Sequence, residues 1–445
     1  NEIYYITYVD GKGQQLFAVD KTTGQGSNIT TDTLNNAIAN GGSLMGCANG
    51  KFYFNSQTGV TTWERATDTA TEILNYINSD IDRSVVNNLY LLPDGRFAYY
   101  GTDYSSKTNK TLIGVLERIP DEQMQDEVIL TLACTYTDYY LRKLIIRYNK
   151  QNTGVRISVK DYSSYNNEGN NWNGAATQLG NDITVGNVPD ILVLDSSLPV
   201  ESYYKKGVFA DLYPFIDSEE NGIDRSDLME NLLKACELNG KLYSIITSYY
   251  FQTLVAKSDF VGTKPGWTIR EMLDAIAKMP EGMVAFSYDF DRSSLQDMLL
   301  SACMGSFVNY ETGETSFNSQ DFIDLIEFLK SCPEKSIQNA YYENIDYDNY
   351  DAQAEQEWYN EYEMRFFKNK ALFMNAYVSS FDAFTYTMQQ FGGNATLIGY
   401  PTTDENSSGA VVYPNMELGI CAASKNTSSA WQFLKYLLTD EQYAK

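Results

Sequence analysis

Strand-like and helix-like patterns alternate along residues 128–195. The apolar run VILTLACTY precedes the amphipathic segment TDYYLRKLIIRYNK. It is followed by the alternating run VRISVKDY, the polar helical segment WNGAATQLGNDI and the apolar run PDILVLD. Alternation at these lengths predicts a parallel sheet with helices on both faces. Because ligands of such sheets bind beyond the carboxyl ends of the strands, the pattern indicates a site near residues 136–138 and 195–197.

Residues 1–126 have a different pattern, in which short, alternating, aromatic strands are separated by turn pairs such as Asp10-Gly11 and Asp94-Gly95. The segment NGKFYF at 49–54 recurs as DGRFAY at 94–99, a spacing of 45 residues. Repeats of about 40 to 50 residues with four strands each are typical of propeller blades. Two or three repeats are fewer than the usual four to eight, so a truncated propeller and a small antiparallel module both remain open. The acidic segment 120–127 is the expected linker.

Further along the chain, periodicity predicts helices at 224–237, 293–303, 319–330, 353–369 and 428–438, and strands at 371–377 and 397–401. Thr268 followed by Glu271 predicts a capping box at the start of the helix IREMLDAIAKM.

Seven blocks of the chain, in this order and spacing, resemble the extracellular solute-binding proteins of bacterial ABC importers. The resemblance is to the carbohydrate-type group (family 1) that includes the maltose- and oligosaccharide-binding receptors, and it covers residues 128–445, about 70% of the chain. The blocks are YNKQNTGVRISVKDY, GNVPDILVLDSS, KKGVFADLYPFID, NGKLYSIITSYYFQTLVAKSDF, KPGWTIREMLDAI, KNKALFMNAYVSSF and SSAWQFLKYLLTDEQYAK.

The resemblance implies an α/β fold of two lobes, periplasmic-binding-protein-like (type II), preceded by an all-β propeller-like module at 1–126. The solute-binding domain would span 127–445, with lobe one at about 127–249 and 371–415 and lobe two at about 250–370 and 416–445. The family continues for a further helix past the last block, which implies a clipped C-terminus. The absence of an export signal before Asn1 indicates one that was removed or never cloned.

Composition narrows the functional classes. The net charge of −25 argues against nucleic-acid binding, which needs clustered Lys and Arg. That acidity fits a soluble secreted protein, or the attraction of a cationic ligand such as a polyamine. With no histidine, Ser-His-Asp and Cys-His catalysis and His-ligated zinc are excluded. The six scattered cysteines favour buried free thiols over disulfides. No apolar window is long enough to span a membrane.

Sugar sites stack aromatic rings on the apolar faces of pyranoses and bond the hydroxyls with planar polar groups. Strand ends and the interlobe crossings of the family should supply these groups. The ligand-binding candidates are Tyr136, Asp138, Trp172, Asp195, Ser196, Tyr249, Tyr250, Tyr377, Asn415 and Glu417.

Some of these candidates have structural alternatives. Asp138 could serve the first turn of its helix, and Trp172 could pack against its own segment. Tyr377 departs from the family pattern, which often places a Trp after Gly-Pro where this chain reads Asn375-Ala376-Tyr377.

No cofactor is expected, because neither a GxxxxGK[ST] nor a GxGxxG motif occurs. The acidic run 346–351 lacks the glycine that a calcium loop needs at its sixth position, so no metal site is predicted. A glycosidase needs only two carboxylates and no histidine, but no motif fixes such a pair.

The resemblance thus implies a non-catalytic extracellular receptor, lipid-anchored at the cell surface or periplasmic. It would capture a sugar or oligosaccharide by hinge closure, as a monomer, and deliver it to a membrane ABC permease. The alternatives are a peptide or polyamine receptor of the same fold, and a surface protein for ligand sensing or adhesion in which the β-module does the work.

Overall fold

A computed structural model of the chain describes residues 2–38, 42–48, 50–104, 108–120, 127–151, 153–167, 172–310, 312–346, 348–404 and 407–439. The chain divides into two compact units. The first comprises Asn1–Thr247 and Met416–Lys445, and the second comprises Ser248–Asn415. Most of the expected linker, residues 121–126, lies outside the described residues.

The N-terminal elements of the first unit are β1 (Glu2–Val9), β2 (Gly13–Asp20), β3 (Gly26–Asn28), α1 (Asp32–Ile38), β4 (Ser43–Ala48), β5 (Lys51–Asn55), β6 (Gly59–Glu64), β7 (Thr69–Asn75), β8 (Val86–Leu91), β9 (Phe97–Asp103) and β10 (Lys110–Leu116). They form three antiparallel sheets with the orders β1-β2-β3, β4-β5-β6-β7 and β10-β9-β8. The described residues therefore contain the expected short strands, together with one helix that the sequence did not predict. Three sheets do not make a closed propeller.

The first unit continues with β11 (Val128–Cys134), α2 (Tyr139–Asn149), β12 (Val155–Asp161), α3 (Gly174–Thr184), β13 (Ile191–Leu194), α4 (Val200–Lys205), α5 (Tyr213–Ile216), α6 (Glu230–Ala235), β14 (Glu237–Leu238) and β15 (Lys241–Leu242). The chain then leaves this unit within β16 (Ile245–Lys257).

The second unit contains α7 (Ser258–Val261), α8 (Ile269–Ala277), β17 (Val284–Phe286), α9 (Arg292–Cys303), α10 (Gln320–Ser331), α11 (Ile337–Glu343), α12 (Ala352–Glu363), β18 (Ala371–Val378), α13 (Phe381–Gln390) and β19 (Ala395–Leu397). The chain returns to the first unit within β20 (Val411–Ile420) and ends in α14 (Thr427–Thr439).

The predicted parallel arrangement is confirmed in the first unit. Strand β11 pairs in parallel with both β12 and β13, and β13 pairs antiparallel with β20. Leu130 and Leu132 of β11 pack into one apolar cluster with α2 and α14, whereas Ala133 packs into another with α3. Both faces of the sheet are therefore covered, as a mainly parallel sheet requires.

In the second unit, β18 pairs antiparallel with β16 and in parallel with β17, while β19 pairs with β16. Helices α8, α9 and α10 bury Met272, Leu299 and Leu325 beside Phe373 of β18. The predicted capping box is confirmed, since the Thr268 hydroxyl accepts from the Glu271 amide while the Glu271 carboxylate accepts from the Thr268 amide.

The division into units differs from the lobe boundaries expected from sequence. Residues 416–445 belong to the first unit, because β20 pairs with β13 and α14 buries Trp431 and Phe433 in the core beneath β11. Residues 371–415 belong to the second unit, because β18 pairs with β16 and β17. The helix expected at 224–237 is also interrupted, since Leu228 and Met229 are extended between a 3-10 turn and α6.

A short 3-10 turn at Ile77–Ser79 joins the N-terminal sheets to the edge strand β12. The Asn78 side chain accepts from the Val159 amide (2.8 Å) and donates to the Val159 carbonyl (3.3 Å), as a neighbouring strand would. Arg156 donates to the Asn78 carbonyl (2.8 Å) and forms an ion pair with Asp80 (2.9 Å). Ile77 is buried in the same core as β11 and β12. The turn thus fastens the N-terminal sheets to the α/β sheet.

All six cysteines are free thiols. Five of them are buried, as expected from sequence, whereas Cys47 is exposed. None of the helices in the described part of the chain has the length and apolar character needed to cross a bilayer.

We predict that Asn78→Ala lowers the free energy of unfolding by about 1–3 kcal/mol, because it leaves two buried backbone groups of Val159 without their partner. Urea denaturation followed by circular dichroism measures the change. Asn88→Ala is the matched control, because Asn88 is exposed on β8 and its replacement should change stability by less than about 0.5 kcal/mol. Equal, small losses for the two variants would contradict the role of Asn78.

Candidate functional site

The carboxyl ends of β11 and β13 are joined through Asp195. Thr135, just after β11, donates its hydroxyl to Asp195 Oδ2, and the Ser197 amide donates to Oδ1 (2.7 Å). The Ser197 hydroxyl donates to the same Oδ1. The predicted residue Asp195 therefore lies at the end of a buried strand with both carboxylate oxygens bonded, and it holds two hydroxyl groups beside it.

Asp161 has the same function at the end of β12. Its Oδ2 accepts from the Thr137 amide (3.0 Å) and its Oδ1 from the Ser163 amide (2.8 Å). Asp138 caps α2, since its Oδ1 accepts from the amides of Tyr140 (2.6 Å) and Leu141 (3.0 Å). The three parallel strands thus end at one edge of the sheet, and each end is fixed by a carboxylate that binds backbone amides.

Three predicted residues of the first unit project into solvent near their elements. Tyr136 follows β11 and is 64% exposed, and Ser196 follows β13 and is exposed. Trp172, just before α3, is 81% exposed, so it does not pack against the described part of its own unit. Tyr136 and Trp172 are aromatic rings with accessible faces.

Glu417 is held inside the first unit rather than at a strand end. It stands opposite Leu194 in the pairing of β20 with β13. Its Oε1 accepts from the hydroxyls of Ser244 and Tyr204 (3.2 Å) and lies 3.8 Å from Cys236 Sγ. Burial, with the nearby Glu417 charge, raises the pKa of the Cys236 thiol to about 12.

The second unit gathers three tyrosines from three strands. Tyr250 of β16 stacks on Tyr413 of β20, with ring centroids 5.3 Å apart and an interplanar angle of 11°. Tyr377 at the end of β18 lies 6.2 Å from Tyr250 at 33°. Tyr377 is 58% exposed. Tyr413 is partly buried, and this burial, together with the neighbouring Tyr250 and Tyr377, raises the pKa of its hydroxyl. We call Tyr250, Tyr377 and Tyr413 the tyrosine cluster.

Polar side chains lie close to the tyrosine cluster along the same strands. The buried Tyr400 donates its hydroxyl to Asn375 Oδ1 (2.5 Å), and the same hydroxyl lies 3.3 Å from Gln252 Oε1. Gln252 is two residues beyond Tyr250 on β16, and Asn375 is two residues before Tyr377 on β18. Burial raises the pKa of the Tyr400 hydroxyl, which keeps it protonated as a donor.

The two remaining predicted residues lie on β16 and β20. Tyr249 is partly buried on β16, and Asn415 is exposed on β20, two residues beyond Tyr413. Of the ten predicted residues, the structure thus brings Tyr250 and Tyr377 into one cluster within the second unit. In the first unit it places Tyr136, Asp138, Asp195 and Ser196 at the carboxyl ends of parallel strands.

Sequence reasoning missed Thr135, Asp161 and Tyr413. Asp161 could have been found by the same rule as Asp195, because it closes the next parallel strand. Tyr413 could have been found from the alternation of β20, where it shares a face with Asn415. Among the described residues, no group of three or more Cys, Asp or Glu side chains is arranged to hold a metal ion.

The sequence model of one protein family, described as bacterial extracellular solute-binding protein, matches residues 143–445. This range covers more than half of the chain, including the strand ends at Asp161 and Asp195 and the whole tyrosine cluster.

Solved structures with similarity to this chain include an ABC substrate-binding protein of Listeria monocytogenes in complex with cycloalternan (17% identity, 72% of this chain and 77% of that one, TM-score 0.42). Another is the sugar-binding protein MalE of Xanthomonas citri (15%, 71% and 76%, TM-score 0.45). A third is the cyclic α-maltosyl-1,6-maltose binding protein of Arthrobacter globiformis (16%, 71% and 76%, TM-score 0.42). The ligands mentioned here are those of the similar proteins.

The family match spans α2 to the C-terminus and so contains both passages of the chain between its units, within β16 and β20. The chain belongs to the bacterial extracellular solute-binding proteins.

Proposed function

We propose that the solute of this receptor is a neutral sugar or oligosaccharide. The observation that carries the proposal is the tyrosine cluster. Its rings lie on three strands and are held in place by contact with one another. Pyranose rings present C–H faces that pack on aromatic rings, and the exposed face of Tyr377 offers such a surface. Asn375 and Gln252, on the same strands, add amide groups of the kind that bond sugar hydroxyls.

The strand ends of the first unit fit the same class of solute. Asp195 and Asp161 use their oxygens on hydroxyls and amides of the chain, so they orient polar groups instead of presenting a bare charge. Tyr136 and Trp172 supply exposed rings beside them. A polyamine or peptide receptor would need open carboxylates as counter-charges. Because the oxygens of Asp195 and Asp161 are already bonded within the chain, this arrangement favours a sugar.

The mechanism that we propose is capture by hinge closure, in which β16 and β20 absorb the backbone change because the chain passes between its units there. One chain is sufficient for capture, so the receptor binds its solute as a monomer and passes it unchanged to a membrane ABC permease. A lipid anchor at the cell surface would keep it near that permease. Turnover of the solute is not part of this function.

We predict that a maltooligosaccharide or related glycan raises the melting temperature of the protein, and that Tyr250→Ala weakens its binding by about tenfold or more. The reason is that Tyr250 contacts the rings of both Tyr413 and Tyr377, so its removal takes away the support of the exposed Tyr377 surface. A cost of about 1.4 kcal/mol corresponds to tenfold in Kd. Isothermal titration calorimetry measures Kd, and chromatography of the solute after incubation checks that it is unchanged.

Two variants serve as controls for this experiment. Tyr250→Phe keeps the ring and should bind nearly as well as the native protein. Tyr310→Ala removes a tyrosine that is 76% exposed elsewhere in the second unit, and it should leave Kd unaltered. Stabilisation by polyamines or peptides alone, with no glycan effect, would refute the proposal.

Measuring stability and solute affinity separately shows whether Glu417 has a structural role or binds the solute. We predict that Glu417→Ala lowers the free energy of unfolding by about 2–3 kcal/mol, because the hydroxyls of the buried Ser244 and the partly buried Tyr204 lose a charged acceptor. Glu417→Gln, which keeps an acceptor oxygen, should lose less. Urea denaturation and titration calorimetry on both variants distinguish the two roles. A rise in Kd at unchanged stability would instead make Glu417 a solute ligand.

A further inference from the structure

Asp195 sets the direction of two hydrogen bonds at the carboxyl ends of β11 and β13. A carboxylate oxygen accepts hydrogen bonds and cannot donate them, so the hydroxyls of Thr135 and Ser197 both direct their hydrogens at Asp195. Each hydroxyl has one hydrogen, and here that hydrogen is already used. Only lone pairs remain on the two oxygens, so each hydroxyl can accept from a further partner but cannot donate to it.

The two hydroxyl oxygens lie where a solute can reach them. Strands β11 and β13 are neighbours in the sheet, and both hydroxyls bond the same carboxylate beyond the ends of these strands. Thr135 is partly buried and Ser197 is exposed. Among the residues that the structure describes, no group donates to either hydroxyl oxygen. We call the hydroxyls of Thr135 and Ser197 the acceptor pair.

Backbone amides at the same edge of the sheet also donate to carboxylates of the chain. The carboxylates, which we call the strand-end carboxylates, are Asp138, Asp161 and Asp195. The amides that donate to them are those of Thr137, Tyr140, Leu141, Ser163 and Ser197. Amides at the start of a helix are the donors that usually hold an anion beside a parallel sheet. Here the carboxylates of the chain occupy them.

Two cations near the start of α2 contact the chain and leave the strand-end carboxylates charged. Lys143 Nζ lies 4.2 Å from the centre of the Tyr139 ring, and Arg142 donates to the Thr137 carbonyl (3.5 Å). Within the described ranges, no ion pair joins a cation to a strand-end carboxylate. This edge of the sheet therefore combines negative charge with hydroxyl oxygens that only accept.

This inference rests on the proposed function and concerns the class of sugar. We propose that Asp195 is a positioning residue that makes the site select neutral sugars over anionic ones such as uronates. A hydroxyl of a neutral sugar donates its hydrogen to the acceptor pair. The carboxylate of a uronate has only acceptor oxygens, so it meets two further acceptors and the strand-end charges, and both contacts are repulsive.

Asp195→Asn reverses one of these hydrogen bonds with almost no change in shape. The Ser197 amide always donates, so the oxygen of the new side-chain amide stays beside Ser197 and its NH2 group faces Thr135. The Thr135 hydroxyl then accepts from that NH2 group, and its own hydrogen becomes available to the solute. The variant therefore has one negative charge fewer, and a donor where the native protein has an acceptor.

Asp161→Asn is the matched control. It also removes one strand-end charge, but Asp161 accepts from the amides of Thr137 and Ser163, whose hydrogens are fixed on nitrogen. No hydrogen bond can be reversed there, so this variant loses stability without gaining a donor.

Titration calorimetry on the whole chain tests the proposal with matched pairs of oligosaccharides at one salt concentration. The neutral members are maltotriose, cellotriose and β-1,4-galactotriose, and the anionic members are the same sugars with one C6 alcohol oxidised to a carboxylate. For the pair whose neutral member binds tightest, we expect the native protein to bind the anionic member about tenfold or more weakly. Asp195→Asn should reduce this ratio by about tenfold, and Asp161→Asn by less than about threefold.

Variants of Thr135 separate the reversed hydrogen bond from a general loss of structure. Thr135→Val removes one acceptor and should weaken neutral binding by about three- to tenfold, whereas Thr135→Ser keeps the hydroxyl and should restore it. In a Thr135→Val background, Asp195→Asn should change the ratio no more than Asp161→Asn does, because no hydroxyl is left to reverse. Circular dichroism melting shows which variants are folded.

Two results would overturn this inference and leave a sugar receptor in place. One is native protein that binds the anionic member of a pair as tightly as the neutral member. The other is a ratio that Asp195→Asn and Asp161→Asn change equally, which would make charge alone the cause. Absence of binding by both members of every pair would instead count against the proposed function, and this inference would be lost with it.

Discussion

The pairing of β20 with β13 is the contact on which the α/β sheet of the first unit depends. It brings the end of the chain back beside the parallel strands β11, β12 and β13, and it places α14 over the core beneath β11. The same strand begins in the second unit, where it contributes Tyr413 to the tyrosine cluster. One strand therefore completes the sheet of one unit and the aromatic surface of the other, and its register sets both.

The contribution of β20 to both units shows which parts of the structure the sequence could predict and which it could not. Local patterns were sufficient for β11 to β13, for α2 and α3, and for the cap of α8 at Thr268, because their hydrophobic period and capping residues act within a few positions. The allocation of residues 371–415 and 416–445 to units was expected the other way round. It depends on which strand β18 and β20 pair with, and strand pairing over such separations leaves no local signal in one sequence.

The candidate site also has a part that the sequence predicted and a part that it did not. Strand ends were found because parallel strands must present their carboxyl ends at one edge, so Asp195 and Tyr136 followed from the topology. The stacking partner of Tyr250 did not follow, because Tyr413 is 163 positions away along the chain and only the strand pairing brings it near. Glu417 illustrates the converse problem: its position in the sequence suggested a crossing, whereas its three neighbours Ser244, Tyr204 and Cys236 are revealed only by the fold.

The acidity of the chain acquires a different meaning once its carboxylates are located. Those at the strand ends accept hydrogen bonds from the chain itself: Asp138 caps a helix, Asp161 holds two amides, and Asp195 holds an amide and two hydroxyls. A carboxylate with its oxygens bonded in this way orients its donors and offers little open charge to a solute. These three residues are a small part of the 58 acidic residues of the chain, whose net charge of −25 favours solubility. The surface that we propose for solute contact, the tyrosine cluster, is built from uncharged rings. In the function that we propose, recognition therefore depends on shape and apolar burial more than on charge.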